Sequence, residues 1–216
     1  MGVNNVETLF AKSLEDSDLS AKQKAVLRAC LTLFSEQGFD RTSTADIAKR
    51  AGVSEGTVYK HFKTKAEIRD AILSSLGNLV VPAAASEFVA EIAPYAATSL
   101  EAFLRLIVAD RLQFALDNRA VIRVFVQEAL LQTSLVQNAA QALITQFDHG
   151  FGPIFHQLQE QGELVDWPLI RIFRTFAGAV LSYALPVVML PPNDATLDSA
   201  HATDEIVELL LKALHP

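Results

Sequence analysis

Apolar residues recur at intervals of three and four almost throughout this 216-residue chain, and runs of Val, Ile and Thr with period two are absent. That spacing lines one face of a 3.6-residue helix and not one face of a strand, so it predicts an all-α protein. Half of the residues are hydrophobic and 20% are charged, a balance that suits a packed core. Cap and turn residues divide the first third. Ser20 with Gln23 makes a capping box that opens a helix whose buried stripe is Val26, Cys30, Leu33 and Phe34; Gly38 is expected to end it with a left-handed cap. Ser43 with Asp46 opens "TADIAKRA", Gly52 stops it, and Ser54 caps "EGTVYKHF". Thr64 with Glu67 starts a fourth helix that runs past Leu76. The first three helices are too short to be stable alone. They are expected to share a core of Leu27, Leu31, Phe34, Phe39, Ile47, Ala48, Val53, Val58 and Phe62. The expected division is a flexible N-terminal extension (1–19), a three-helix domain (20–66) and a helical remainder (67–216).

Beyond residue 80 the texture changes. Pro82 and Pro94 are expected to break the chain, and Thr98 with Glu101 to cap a long helix that stops near Asn118. "RAVIRVFVQEALLQ" reads as a helix, and a longer one follows, bent where Gly150, Gly152 and Pro153 cluster. Trp167-Pro168 starts "LIRIFRTFAGAVLSYAL", "PPNDATLDSAHA" reads as a mobile loop, and "TDEIVELLLKAL" closes the chain. The longest apolar stretch is broken by Pro186 and closed by Pro191 and Pro192, so it is expected to fall short of a membrane span. The start lacks a basic region followed by an apolar run, so no signal peptide is read there. The single cysteine, Cys30, lies in an apolar helical pattern, which suits a buried filler and a reducing compartment. These features together predict a soluble cytoplasmic protein without a membrane partner.

Charge is unevenly spread. Residues 20–69 hold ten basic and five acidic groups, a net +5, which leaves −12 for the rest of a chain whose total is −7. A cationic module on an anionic body points to a polyanion at one end only. Two short helices joined by a glycine turn, the second polar on its exposed face, follow the helix-turn-helix plan. In that plan the second helix enters the DNA major groove. Lys60 suits guanine acceptors or phosphate, and Thr57 offers a hydroxyl and a methyl for a base edge. Tyr59, His61 and Lys65 suit phosphate oxygens, and Gly56 allows close approach of the backbone. Thr42, Ser43 and Thr44 stand at a helix N-terminus that favours an anion, and Ser54 stands at the next one. Capping alone would also account for Ser43, Ser54 and Thr64.

The ordered set "TSTADIAKRAGVSEGTVYKHFKTKAEI" resembles the DNA-binding signature of the TetR family of bacterial transcription regulators, and "VLRACLTLFSEQGFDRTS" resembles the helix before it. The resemblance covers roughly residues 22–72, with Thr64 and Ile68 as mild departures that keep the cap and the packing. It implies an N-terminal three-helix helix-turn-helix DNA-binding domain and a C-terminal helical ligand-binding and dimerisation domain. It further implies a homodimer bound to a palindromic double-stranded DNA operator and released by a small-molecule effector of unknown identity. A regulator that answers to a protein partner instead is the alternative.

Aromatic stripes at helical spacing are usually core; the resemblance is what turns them into candidate pocket walls. Phe103, Ile107 and Phe114 share one helical face, Phe147, Phe151 and Phe155 another, and Phe173, Phe176 and Tyr183 a third. Gln127, Gln146 and His149 are the candidate polar anchors for a largely hydrophobic ligand. "LIRIFRTFAGAVLSYAL" is apolar nearly all round, which predicts a dimer interface on the last two helices through Phe173, Gly178, Val180, Leu209 and Leu210. His149 and His156 lie seven apart, but no third metal ligand is apparent and no cofactor is expected. No nucleophile elbow, phosphate loop or carboxylate pair speaks for an enzyme.

Overall fold

A computed structural model describes residues 5–95, 99–130, 132–190 and 197–216. Among them the regular structure is helical and no strand occurs. The helices are α1 (Val6–Glu15), α2 (Ala21–Gln37), α3 (Thr44–Ala51), α4 (Glu55–His61), α5 (Lys65–Ser75), α6 (Val81–Ile92), α7 (Leu100–Asp117), α8 (Arg119–Ala129), α9 (Thr133–Glu160), α10 (Leu169–Met189) and α11 (Ser199–Leu214). They form two compact units: residues 5–83 with 120–140, and residues 84–119 with 141–216.

The first unit is built by caps. Ser20 and Gln23 close a full capping box on α2, and Ser43 and Asp46 close another on α3. Thr64 accepts the Glu67 N–H, but the Glu67 carboxylate takes the Lys63 N–H rather than that of Thr64. Gly38 ends α2 at φ 86°, ψ 164°, a positive-φ turn but not the left-handed cap expected from the sequence. Gly52, at φ 69° and ψ 31°, does take the left-handed conformation, which reverses the chain between α3 and α4. Leu27, Leu31, Phe34, Ile47, Ala48, Val58 and Phe62 are buried together, while Phe39 and Val53 are half-buried. Burial pushes the Cys30 thiol well above its usual range, consistent with an inert filler.

Three features depart from the sequence reading. Residues 6–15, expected to lie in a flexible extension, form α1, with Val6, Leu9, Phe10 and Leu14 buried. Glu15 ties α1 to α2 by pairing with Lys24 and Arg28, and Ser13 Oγ meets Ser75 Oγ at 3.0 Å. Pro82 does not break the chain. A π-helical turn over Leu76–Val80 joins α5 to α6, and Val81 N–H bonds back to Leu76. Widening the ladder at this point lets the ring follow, since proline has no N–H to place. Likewise α9 runs on through Pro153, and α10 runs through Pro186 to Met189. Ser182, whose carbonyl loses its partner at Pro186, is solvent-exposed. By length and composition α10 and the helix Lys65–Tyr95 would each suffice to cross a membrane, which corrects the shorter span read from the prolines.

The second unit buries a phenylalanine cluster between α6, α7, α9 and α10. Phe151 meets Phe88, Phe103, Phe147 and Phe155 at centroid separations of 5.4, 5.8, 5.7 and 6.3 Å, all edge-on. α11 adds Ile206, Val207, Leu210 and Leu214 to the same core. The N-cap of α7 is Ser99, which accepts the Ala102 N–H; Thr98, named from the sequence, lies outside the described residues. The "PPNDAT" part of the expected loop is likewise outside them, and its end, Ser199–Ala202, is not loop but the first turn of α11, capped by Asp198.

Candidate nucleic-acid interface

α3 and α4 present their polar groups on adjoining surfaces. α4 is short, is capped by Ser54, and buries Val58. Its other positions turn outward: Ser54, Gly56 and Lys60 are exposed, Thr57 and His61 are half-buried, and Tyr59 is 50% exposed. Ser54 Oγ accepts the Thr57 N–H at 3.2 Å and lies 3.0 Å from Thr57 Oγ1, so both hydroxyls are held at the start of the helix. A Cβ added to Gly56 would meet nothing nearer than Ser54 Oγ at 3.8 Å. The free protein therefore has room there for a side chain, and its own packing does not call for glycine.

A hydrogen bond of 2.9 Å between Thr44 Oγ1 and Tyr59 OH ties the start of α3 to the exposed face of α4. The Ser43 hydroxyl donates to Asp46 Oδ2 at 2.6 Å and accepts the Asp46 N–H at 3.1 Å. These bonds, together with the Ser43 backbone N–H, hold the Asp46 carboxyl below its ordinary range. Nearby acids are spent on structure in the same way: Glu36 pairs with both terminal nitrogens of Arg50, at 3.3 and 2.7 Å. Asp46 and Glu36 are thus engaged in structure, while the exposed cation Lys60 shares α4 with the exposed acid Glu55.

Two residues expected on this surface are turned inward. Thr42 is 2% exposed, and its hydroxyl donates to the Gly38 carbonyl at 2.8 Å while accepting from Gln37 Nε2 at 3.3 Å. Lys65 Nζ donates to the carbonyls of Phe39 and Thr42 at 2.8 and 3.0 Å and lies 4.1 Å from the Phe39 ring centroid. Both side chains fasten the turn between α2 and α3, Thr42 from a buried position and Lys65 from a half-buried one. Sequence spacing places Lys65 beside a phosphate, but it does not register carbonyls that arrive from 23 and 26 residues away.

The other candidate residues separate as well. Phe103, Ile107, Phe147, Phe151 and Phe176 belong to one buried core cluster. Phe114 is half-buried under the Arg111 guanidinium, whose centre lies 4.6 Å from the ring. Gln127 is exposed on α8, and Gln146 is half-buried on α9. A surface cleft of about 170 Å³ does lie beside this core, lined by Gln141, Ile144, Thr145, Phe147, Asp148, His149, Leu169 and Ile170. It shares Phe147 and His149 with the expected pocket. Of the expected dimer residues, Val180 and Leu210 are buried in their own core and Phe173 packs against Phe147 at 4.9 Å. Only Gly178 and Leu209 lie on the surface, where the sequence reading missed Leu181 and Leu185. The face of α10 that carries Val180 is covered by elements of the same unit, and the opposite face is the open one. Among the described residues no three side chains of His, Cys, Asp or Glu converge as metal ligands.

Residues 26–72 match the family described as bacterial regulatory proteins, tetR family. The chain is 41% identical over 68 residues to the HTH-type transcriptional repressor Rv3405c of Mycobacterium tuberculosis, covering 32% of this chain and 36% of that protein. It thus spans only about a third of that relative's length. The match to the uncharacterized HTH-type transcriptional regulator YdeS of Bacillus subtilis is longer, 32% identical over 176 residues, and takes in 72% of this chain and 88% of that one. In fold the chain resembles the transcriptional regulator FadR from Bacillus subtilis, solved in complex with stearoyl-CoA, with a TM-score of 0.61 and 20% identity over 90% or so of both molecules (88% of this chain and 98% of that one). A family match centred on the capped α2–α5 segment, extended by YdeS through most of the chain, leads to one conclusion: the chain belongs to the tetR family of bacterial regulatory proteins.

Proposed function

We propose that this protein is a homodimeric, sequence-specific DNA-binding transcription regulator of the repressor type, released from a palindromic operator by a small, mostly hydrophobic ligand. The observation that carries the DNA-binding reading is the exposed face of α4, where Gly56, Tyr59 and Lys60 stand clear of the core and Tyr59 is braced by Thr44. A bare backbone at Gly56 admits a close approach, Lys60 reaches for base edge or phosphate, and the Thr44 and Tyr59 hydroxyls suit phosphate oxygens. Ser43, Ser54, Thr57 and His61 frame this face. The repressor sense is supported by the name of the Mycobacterium tuberculosis relative.

The dimer reading rests on the exposed apolar residues of the last two helices. Leu181, Leu185 and Leu209 are 55%, 43% and 54% exposed, and Gly178 lies on the same side of α10 as Leu181 and Leu185. A second copy of the chain is the occupant that a family of regulators reading palindromes calls for. The ligand reading rests on the phenylalanine-rich core and the cleft at Phe147. At about 170 Å³ the cleft is smaller than the ~300–1,000 Å³ of typical ligand sites, so a larger effector needs the core to open beside it. The acyl-CoA held by FadR makes a fatty acyl compound the first effector class to try.

Selection from a pool of random duplexes tests the central reading. A palindromic sequence should be enriched, and Lys60→Ala should weaken binding to it by about 1–3 kcal/mol if Lys60 reads a base. Recovery of no enriched sequence would remove the regulator reading.

A further inference from the structure

The turn between α2 and α3 is held by a connected set of side chains within the first unit. The Phe39 ring sits edge-on to Phe34, with centroids 5.1 Å apart. Two cations share that ring: Lys65 Nζ at 4.1 Å and the Arg69 guanidinium carbon at 5.1 Å from its centroid. Lys65 also donates to the carbonyls of Phe39 and Thr42, which bracket the turn. Arg69 is held in turn by Asp70 at 3.0 Å and by Glu128 of α8 at 3.5 Å, the latter 59 residues further along the chain. Arg69 and Glu128 are both largely covered, at 25% and 18% side-chain exposure, so their attraction is less screened than that of a surface pair. Ser43, the cap of α3, follows Thr42 directly, and Thr44 follows Ser43. The clamp therefore ends one residue from the hydroxyls on the candidate DNA surface.

We propose that Lys65 and Arg69 are positioning residues for DNA recognition, that they hold the α2–α3 turn around Phe39, and that Glu128 anchors them from α8. The proposal rests on the DNA-binding reading above and alters the part that Lys65 plays in it. An ammonium has three donors and no acceptor. Two of the three are aimed at turn carbonyls, and the charge rests against an aromatic face, where it is stabilised by the ring quadrupole. Moving Lys65 out to a phosphate would strip both carbonyls of these bonds and release the turn that orients Ser43 and Thr44. Arg69 covers another part of the same ring and is fixed by an acid on a helix remote in sequence. Affinity for DNA thereby becomes sensitive to a carboxylate that touches no nucleic acid.

Salt dependence separates positioning from contact, because each phosphate neutralised by a lysine adds close to one to the slope of log K against log salt. Lys65→Met should weaken operator binding about tenfold and leave that slope unchanged. Glu128→Gln should also weaken binding, although it removes a negative charge and would strengthen attraction to DNA if bulk electrostatics governed. Arg69→Gln combined with Glu128→Gln should lose no more than the larger single loss, since both act through one pair. In the free protein, Lys65→Met should speed amide exchange at Thr42 and Ser43, a readout that needs no DNA. A slope lower by about one in Lys65→Met, tighter binding by Glu128→Gln, or unchanged exchange at the turn would each overturn the proposal. If the wild-type chain selected no duplex, the DNA-binding reading would fall, and the exchange result alone would then decide whether the clamp exists.

Discussion

Replacing Gly178 by alanine puts the dimer reading at risk in a single experiment. Gly178 is in the middle of α10, and a Cβ built on it meets no atom within 4 Å in the single chain. In an isolated subunit the substitution should therefore stabilise the helix by about 1 kcal/mol, the difference between glycine and alanine in a helix interior. For a chain of this size that corresponds to a rise in Tm of roughly 2–4 °C. The gain belongs to the fold of each subunit, so it is present in monomer and dimer alike and cancels in the association equilibrium. If two copies of α10 approach closely at Gly178, the new methyl groups act only in the dimer. Overpacking costs about 1–3 kcal/mol per site, and a twofold interface carries the site twice. The dissociation constant should then rise by a factor of about thirty or more. Sedimentation velocity over a dilution series reads that shift directly, and thermal unfolding at high dilution reads the monomer gain. A dissociation constant that does not move, alongside the full thermal gain, would show that the second copy docks elsewhere.

Tyr59→Phe should weaken operator binding by roughly two- to tenfold, the worth of one hydrogen bond of about 0.5–1.5 kcal/mol, because it removes the hydroxyl bonded to Thr44. Tyr59→Ala should lose more through the half-exposed ring, and equal losses in an anisotropy titration would contradict a role for the hydroxyl. The Ser43–Asp46 capping box makes stability dependent on pH. Its hydrogen bonds hold the Asp46 carboxyl below its ordinary value, so its contribution is complete above the unfolded pKa of about 3.9 and is lost as pH falls through the lower folded value. Asp46→Asn should accordingly lower the urea midpoint near neutrality by an amount that shrinks in acid. A difference that stays constant down to about pH 2 would show that the carboxylate charge plays no part.

What the residues determined unaided lies within one or two helical turns. Ser20, Ser43 and Ser54 cap helices because a short side-chain oxygen can reach an N–H three residues on, and that reach is set by local backbone geometry. Gly52 makes its turn for the same local reason, which is why the exposed polar face of α4 could be read from "GVSEGTVYKHFKTK" alone. Periodicity likewise marked Val58 and Ile47 as core and left Tyr59 and Lys60 outside. Thr42 and Lys65 were a different matter. Each has the chemistry to bind a phosphate; Lys65 is consumed by carbonyls 23 and 26 residues away that only the folded chain brings near, and Thr42, whose acceptor Gly38 lies four residues back, is withdrawn by burial in the packed unit. The helical stripe of Phe147, Phe151 and Phe155 could equally have lined a pocket; rings arriving from α6 and α7 packed against Phe151 and Phe155, while Phe147 also lines the surface cleft. Val180 and Leu210 are as apolar as Leu181 and Leu209, and neighbouring helices alone decided which pair was covered. α1 stayed hidden because its stability comes from burying Phe10 and Leu14, contacts made across the chain. A cap is satisfied by atoms a few bonds away. Burial and ion pairing are satisfied by whatever the tertiary structure delivers, and no spacing in the sequence records it.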